Sequence, residues 1–174
     1  MKMSRVWAMS NKNTFDIKPV RFFVNNYTRQ GTTIVDPFAN KSKIGTITND
    51  LDDDYDTDYN MDALEFLKIL DGNIADCILF DPPYSKRQLV EVYKKMDLSV
   101  TRETTQSDYW TYIKKEFNRI LKPGGFILSF GWNSNGLGLS NMCEIIEIML
   151  VAHGGSKNDT ICMCEQKINN GELF

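Results

Sequence analysis

The chain has 174 residues, 42% of them hydrophobic and 25% charged, which suits one globular domain with its own core and leaves too little for two ordinary ones. No apolar run is long enough to cross a bilayer, and the basic start Met1-Lys2-Met3-Ser4-Arg5 lacks the apolar segment of a secretory signal. Dedicated duplex-DNA binders are usually basic, so at a net charge of −3 any contact with nucleic acid must rest on a local patch.

Residues 1–14 are polar and aperiodic and read as a flexible arm; residues 15–174 read as one domain. A helix begins at Pro19, where proline suits the first turn, and Val20, Phe23, Val24 and Tyr27 recur along it at helical spacing. Gln30-Gly31 ends it. Thr33-Ile34-Val35 reads as a buried strand closing on Asp36-Pro37-Phe38, and Gly45-Thr46-Ile47-Thr48 as a second, ending at Asn49-Asp50. Residues 50–58 hold six aspartates and read as an exposed loop. Asp62-Ala63-Leu64-Glu65 has the form of a helix-capping box, with Leu64, Leu67 and Ile69-Leu70 behind it.

Ala75-Asp76-Cys77-Ile78-Leu79-Phe80 is the strongest buried strand and runs straight into Asp81-Pro82-Pro83-Tyr84. A helix over about 85–96 follows, then an irregular polar stretch over 97–108. Trp110, Ile113, Phe117 and Ile120-Leu121 form a helical stripe that Lys122-Pro123-Gly124-Gly125 stops. Phe126–Phe130 is a further strand, meeting a Gly/Asn-rich loop from Gly131 to Gly136 that contains Trp132 and Asn133. Strands over about 144–152 and 160–167 flank a strong turn signal, His153-Gly154-Gly155-Ser156-Lys157-Asn158-Asp159, and pair as an antiparallel hairpin. Cys77, Cys143, Cys162 and Cys164 read as reduced thiols of a cytoplasmic protein; Cys162 and Cys164 share a strand face and could hold a metal, but plain packing is the simpler reading.

Strands alternating with helices give an α/β domain with a mainly parallel sheet and the C-terminal hairpin antiparallel. Ligands bind such sheets at the carboxyl ends of the strands. Two of those ends, Asp36-Pro37-Phe38 and Asp81-Pro82-Pro83-Tyr84, are polar, bear proline and are unlike ordinary turns.

After its apolar strand, Asp81-Pro82-Pro83-Tyr84 resembles the fourth motif of the amino-methyltransferases of nucleic acids. The chemistry needs these residue types. An aromatic amine is a poor nucleophile because its lone pair is delocalised into the ring. The Asp81 carboxylate and the Pro82 carbonyl together can accept both amino hydrogens, so that the lone pair points at a sulfonium methyl. Pro82 and Pro83 offer no N–H and stiffen the turn. Tyr84 offers a face on which a flipped base can stack.

The resemblance extends over about residues 15–167. Asp16-Ile17-Lys18-Pro19 resembles the segment touching the methionine end of S-adenosylmethionine. Asp36-Pro37-Phe38-Ala39 resembles the first motif. Asn49-Asp50-Leu51 resembles the second, whose acid binds the ribose hydroxyls, and Asp62-Ala63 the third, whose acid takes the adenine amino group. Leu121-Lys122-Pro123-Gly124-Gly125 resembles the segment entering the fifth strand. The chain looks most similar to small stand-alone adenine methyltransferases of bacteriophages. That resemblance implies a Rossmann-like domain, methyl transfer to the exocyclic amine of adenine in DNA, S-adenosylmethionine as methyl donor without a metal, and action in the cytoplasm of a bacterial host. It implies cofactor contacts from Lys18, Pro19, Asp36, Phe38, Ala39, Asp50, Leu51, Asp62 and Ala63. It places catalysis on Asp81, Pro82, Pro83 and Tyr84, and substrate contacts on Ser85, Lys86, Arg87, Trp132 and Asn133.

The same reaction on RNA and a non-catalytic partner module are the alternatives. With no separate recognition domain, specificity would come from a second subunit or from a homo-oligomer, and no membrane is expected as partner. Asp62 has a plainer role as helix cap, and the acidic run has one as solvated surface; Asp54, Asp56, Asp58 and Glu65 fall at calcium-loop offsets, but Tyr59 stands where that loop needs glycine. The chain departs from the family in its first motif, where Asn40-Lys41-Ser42-Lys43 replaces the usual Gly-x-Gly. Only about seven residues then separate Phe38 from the next strand, whereas a helical crossover needs about a dozen or more. The expectation is that Lys41 or Lys43 reaches the cofactor carboxylate instead.

Overall fold

The computed structural model describes residues 1–83, 107–138, 140, 142–155 and 157–168. The helix expected over 85–96 lies outside them. In chain order the described residues form β1 (Lys2–Trp7), a 3-10 turn (Thr14–Asp16), α1 (Lys18–Tyr27), β2 (Ile34–Asp36), β3 (Ile47–Thr48) and α2 (Ala63–Ile69). There follow β4 (Ala75–Phe80), α3 (Ser107–Ile120), β5 (Leu121–Gly131), β6 (Cys143–Ala152) and β7 (Thr160–Lys167).

All seven strands join one sheet in the order β1-β6-β7-β5-β4-β2-β3. Every neighbouring pair is parallel except those made by β7, which runs antiparallel to β5 and β6. This is the expected α/β architecture. Alternation along the strands splits the core in two. Cys77, Leu79, Leu128, Phe130, Val151, Cys162 and Cys164 face α1, which buries Val20, Phe23 and Val24 against them. Val35, Ile78 and Ile127 face α2 and α3, which supply Phe66, Leu67, Ile113, Phe117 and Ile120. Cys162 and Cys164 are thus part of the apolar layer beneath α1.

Residues 2–7, expected to be part of a flexible arm, instead form β1, paired in register from Lys2↔Glu147 to Trp7↔Ala152. The sequence hides this strand because it is an edge: Met3 and Trp7 stay 70% and 65% exposed, so no apolar alternation marks a buried face. Lys2 ties it down, its Nζ 2.8 Å from the nearly buried carboxylate of Glu147, which also accepts the Tyr27 hydroxyl. A second difference lies at Lys122–Gly125, which interrupts pairing without ending the strand. The β4–β5 register shifts between Ala75↔Leu121 and Cys77↔Phe126, Gly124 adopts φ +74°, and Lys122 reaches Asp76 at 2.7 Å.

Neither β2–β3 nor β5–β6 is crossed by an α-helix among the described residues. The second crossover is pinned by side chains. Leu137 is buried, and the fully buried Glu165 carboxylate accepts the Leu137 and Gly138 amides, each at 2.8 Å. Lys114 donates to the Gly136 carbonyl. Gly136 sits at φ +51°, and a Cβ there would lie 2.6 Å from the Glu165 carboxyl carbon.

Candidate active site

Parallel pairing of β2 with β4 brings their carboxyl ends side by side, Ile34 opposite Cys77 and Val35 opposite Ile78. Asp36 and Asp81 therefore leave neighbouring strands at one edge of the sheet. Asp36 is fully buried; its Oδ1 accepts the Phe38 amide at 3.2 Å, and its Oδ2 has no partner. Burial pushes its carboxyl up to about 8, opposed by the Phe38 amide and reinforced by the Asp81 and Asp50 carboxylates. Asp81 as a residue is half-buried, yet its Oδ1 is sealed from solvent and, like Asp36 Oδ2, has no partner among the described residues. Burial raises its carboxyl to about 7, opposed in small part by the Thr14 side chain nearby. Pro82 and Pro83 follow, half-buried. Tyr84, Ser85, Lys86 and Arg87 lie outside the described residues.

The connection from β2 to β3 keeps a tight turn without the missing glycines. Asn40 takes φ +51°, the left-handed conformation that asparagine tolerates better than most residues. Its amide donates to Asp50 Oδ2 at 2.8 Å, while the Ala39 amide donates to the Asn49 carbonyl at 2.9 Å. Asn49 is the hub. Fully buried, it donates from Nδ2 to the carbonyls of Pro37 (3.2 Å) and Met61 (3.0 Å), and its Oδ1 accepts the Met61 amide at 3.1 Å. Gly45 permits the close return, since a Cβ there would lie 2.8 Å from that of Asp36. Lys43 turns away to Asp56, 2.7 Å distant at the surface, and Lys41 is exposed. The turn is thus built by Asn40 and Asn49, while Lys43 pairs with Asp56 at the surface.

The acidic run is less uniform than expected. Asp52 is buried, and Asp58 accepts both the amide and the hydroxyl of Thr48 at 2.8 Å. Asp50 orders the loops on either side: besides Asn40, it accepts the Asp52 amide through Oδ1 at 3.0 Å, and burial raises its carboxyl. Leu51 is half-buried beside it. Asp62 caps α2 through Oδ1, accepting the amides of Leu64 (2.9 Å) and Glu65 (3.3 Å), and Ala63 opens the helix in the core. Asp62 Oδ2 accepts the Tyr109 hydroxyl at 2.9 Å, which links α2 to α3.

Phe38 packs against Phe80 and Trp110, with ring centroids 6.0 and 6.3 Å away. Trp132 follows the end of β5 and is 48% exposed. Continuing the pairing of Phe80 with Ser129 sets it level with Pro83. Asn133 beside it accepts the Asn135 amide at 3.1 Å. Lys18 and Pro19 form the first turn of α1. Tyr109 carries no signal in the sequence, because it acts on Asp62, far along the chain.

No protein-family model and no curated protein matches the sequence. Solved structures do match. TrmN from Thermus thermophilus superposes over 86% of this chain with a TM-score of 0.55 and 16% identity, and the chain spans 49% of its length. A SAM-dependent methyltransferase from Methanosarcina mazei matches over 84% of this chain and 97% of its own, with a TM-score of 0.58 and 12% identity. The chain has a methyltransferase fold. A candidate rRNA methylase from Clostridium thermocellum matches over 92% of this chain and all of its own (100%), with a TM-score of 0.56 and 12% identity. At such identities the likeness is one of fold. In that fold Asp36 ends β2 and Asp81 directly follows its neighbour β4. No helix among the described residues is long and apolar enough to cross a membrane.

Proposed function

We propose that the chain transfers a methyl group from S-adenosylmethionine to the exocyclic amine of adenine in DNA. The observation that carries this reading is Asp81: a carboxylate directly after the interior strand β4, followed by two prolines, with one buried oxygen that nothing among the described residues satisfies. A buried acceptor of that kind is costly unless a ligand completes it. An aromatic amine fits, since it brings N–H donors to Asp81 Oδ1. The acceptors of the chain also fit such a cofactor: Asp36 Oδ2 is buried and unpartnered among the described residues, and Asp50 lies two residues past β3. Lys18, Pro19, Asp36, Phe38, Ala39, Asp50, Leu51, Asp62 and Ala63 would line its site.

S-adenosylmethionine supplies an electrophilic methyl on a positively charged sulfur. Asp81 accepts one amino hydrogen and the Pro82 carbonyl the other, which biases the nitrogen towards tetrahedral geometry. Bound beside Asp81, the cofactor would supply its methyl to the nitrogen, the S–CH3 electron pair staying on sulfur, and the surplus amino proton would pass by way of the Asp81 carboxylate to solvent. Asp36 and Asp50, where ionised, would hold the cation more tightly than the neutral thioether; with its carboxyl at about 8, Asp36 does so only above that pH or once the cation itself lowers the value. Ser85, Lys86, Arg87, Trp132 and Asn133 make up the substrate side, Trp132 and Tyr84 with rings for the flipped base. Specificity is short, or a second subunit supplies it. The same chemistry on RNA is the second reading, favoured by the likeness in fold to the candidate rRNA methylase.

Asp81→Ala tests the assignment. Cofactor affinity, measured by calorimetry, should stay close to that of the unchanged protein, while methyl transfer falls by about 100- to 1,000-fold, the scale for losing one group aimed at the reacting atoms. Turnover near that of the unchanged protein would remove Asp81 from the mechanism.

A further inference from the structure

Charge is spread unevenly along the chain. Residues 1–35 carry six of its 20 basic residues and one of its 23 acidic ones, Asp16. The fold turns this asymmetry in sequence into one in space. Residues 2–27 supply β1, the 3-10 turn and α1, and β1 is the sheet edge opposite β3, which the six-aspartate run follows. Arg5, Lys12, Lys18 and Arg29 are exposed and make no ion pair among the described residues, whereas Lys2 pairs with Glu147 and Arg21 with Asp16. The start of α1 lies at the sheet edge that carries Asp81. Phe15 and Phe23 pack on Phe130, ring centroids 5.1 and 6.5 Å away, and Tyr27 packs on Phe126 at 5.3 Å. Phe130 follows Ser129, the partner of Phe80, so α1 runs from the level of Asp81 back along the sheet for about 15 Å.

The outer face of α1 is unlike that of a merely solvated helix. Its inner face buries Val20, Phe23 and Val24; Lys18, Phe22 and Asn25 recur at helical spacing on the other, with Arg21 and Asn26 beside them. Two of these choices are locally unfavourable. Lys18 sits in the first turn, where the helix dipole favours an acid and none is present. Phe22 is 68% exposed. We propose that this face, with Lys12 and Arg29 at its two ends, docks a nucleic-acid strand: backbone phosphates lie against Lys12, Lys18 and Arg29, and a sugar or unpaired base lies on Phe22. The proposal rests on the reading of the chain as acting on nucleic acid, and it gives that substrate a path to Asp81. Cations interleaved with an aromatic ring suit such a strand, since the cations follow the backbone and the ring takes a base. The charge polarity of the molecule orients the approach, with the aspartate run at the far edge repelling the same polyanion. An anionic membrane fits less well. A helix lying in a lipid surface needs an apolar face free to enter it, and that of α1 is in the core.

The test measures binding of the full chain to fluorescent single-stranded and duplex oligonucleotides by anisotropy across a salt series. Lys12→Glu/Arg29→Glu is compared with Lys68→Glu/Lys115→Glu, which makes the same change of net charge on α2 and α3, and with Phe22→Ala. Lys12→Glu/Arg29→Glu should weaken binding by about 10-fold or more at low salt and flatten the salt slope by about 1–2, at about 0.9 per lost duplex contact or about 0.7 per lost single-strand contact. Phe22→Ala should weaken single-strand binding by about 5-fold or more, the scale of one base stacked on an aromatic ring. The control pair should bind nearly as the unchanged chain does, and Tm should stay level throughout. Unchanged affinity in Lys12→Glu/Arg29→Glu or in Phe22→Ala overturns the proposal, as does an equal loss in the control pair, which would make net charge the cause. Binding to anionic phospholipid vesicles without binding to either oligonucleotide also overturns it, in favour of a membrane surface. The two readings fail separately. Methyl transfer to adenine with binding untouched by these substitutions leaves the proposed function and removes this face, while binding lost in both variants with no methyl transfer by the unchanged chain keeps the face and removes the proposed function.

Discussion

Two carboxyls buried at the ends of neighbouring strands tie stability and activity to pH in opposite directions. Asp36 carries an ordinary carboxyl value of 3.8 when unfolded and about 8 when folded, so the folded state binds the proton more tightly. Its contribution is fully present below the unfolded value and is lost as pH rises through the folded one. Stability should therefore decline between about pH 4 and 8, and Asp36→Asn, which mimics the neutral form, should flatten that decline and melt higher than the unchanged protein at pH 9. Thermal unfolding across pH checks this, each kcal/mol appearing as about 2–4 °C in a chain of this size. A melting curve that rises towards pH 9 in the unchanged protein would refute it. Catalysis should follow the other sign. Asp81 accepts hydrogen bonds as the ionised form, so kcat/KM should climb as pH rises through about 7, the value to which burial lifts it in the free protein. An acid limb near the ordinary carboxyl range would show Asp81 to be better solvated than the structure has it.

Short elements carry the departures from an ordinary parallel fold. Asn40 at φ +51° lets β2 and β3 pair across a connection too short for a helix. Asn40→Ala should cost about 1–2 kcal/mol, the scale of the left-handed penalty, and weaken cofactor binding, whereas Asn40→Gly should be tolerated. Equal Tm values for the two variants would mean the turn relaxes elsewhere. Gly136→Ala should cost about 1–3 kcal/mol by forcing a Cβ against the buried Glu165 carboxyl and straining φ, measured as a fall in Tm. At this scale the sequence is uneven evidence. β4 is legible because six residues in a row form one apolar strand that stops at Asp81-Pro82-Pro83, and α2 because Asp62 caps it. β1 is not, since an edge strand with Met3 and Trp7 in solvent has no buried face to alternate. The missing Gly-x-Gly suggests a damaged loop, yet asparagine is the residue that reaches glycine's conformation at small cost, and Asn49 supplies bonds that only the folded chain brings together.

For the whole molecule, charge and size set what it can grip. The net charge is −3, and the six aspartates of residues 50–58 begin at the carboxyl end of β3, the sheet edge that holds Asp36 and Asp81. Phosphate contacts must come from elsewhere: from Lys86, Arg87, Lys94 and Lys95, which lie outside the described residues, and from exposed Lys12 and Lys18 beside the 3-10 turn. So few cations should give a shallow salt dependence of binding, a slope of roughly −2 to −4 at about 0.9 per duplex phosphate. A steep slope would mean a basic surface contributed by a partner. The carboxyl-end placement of Asp36 and Asp81 follows from strand order alone, while the choice of nucleic acid depends on residues 84–106 and on side chains the fold does not dictate. The direct test of the central claim is to incubate the purified chain with methyl-labelled S-adenosylmethionine and separate pools of DNA and RNA, digest each pool, and identify the labelled nucleoside. The expected result is label in N6-methyldeoxyadenosine from the DNA pool, abolished by Asp81→Ala. Label in a cytosine or guanine product, or in neither pool while the cofactor binds, would contradict it.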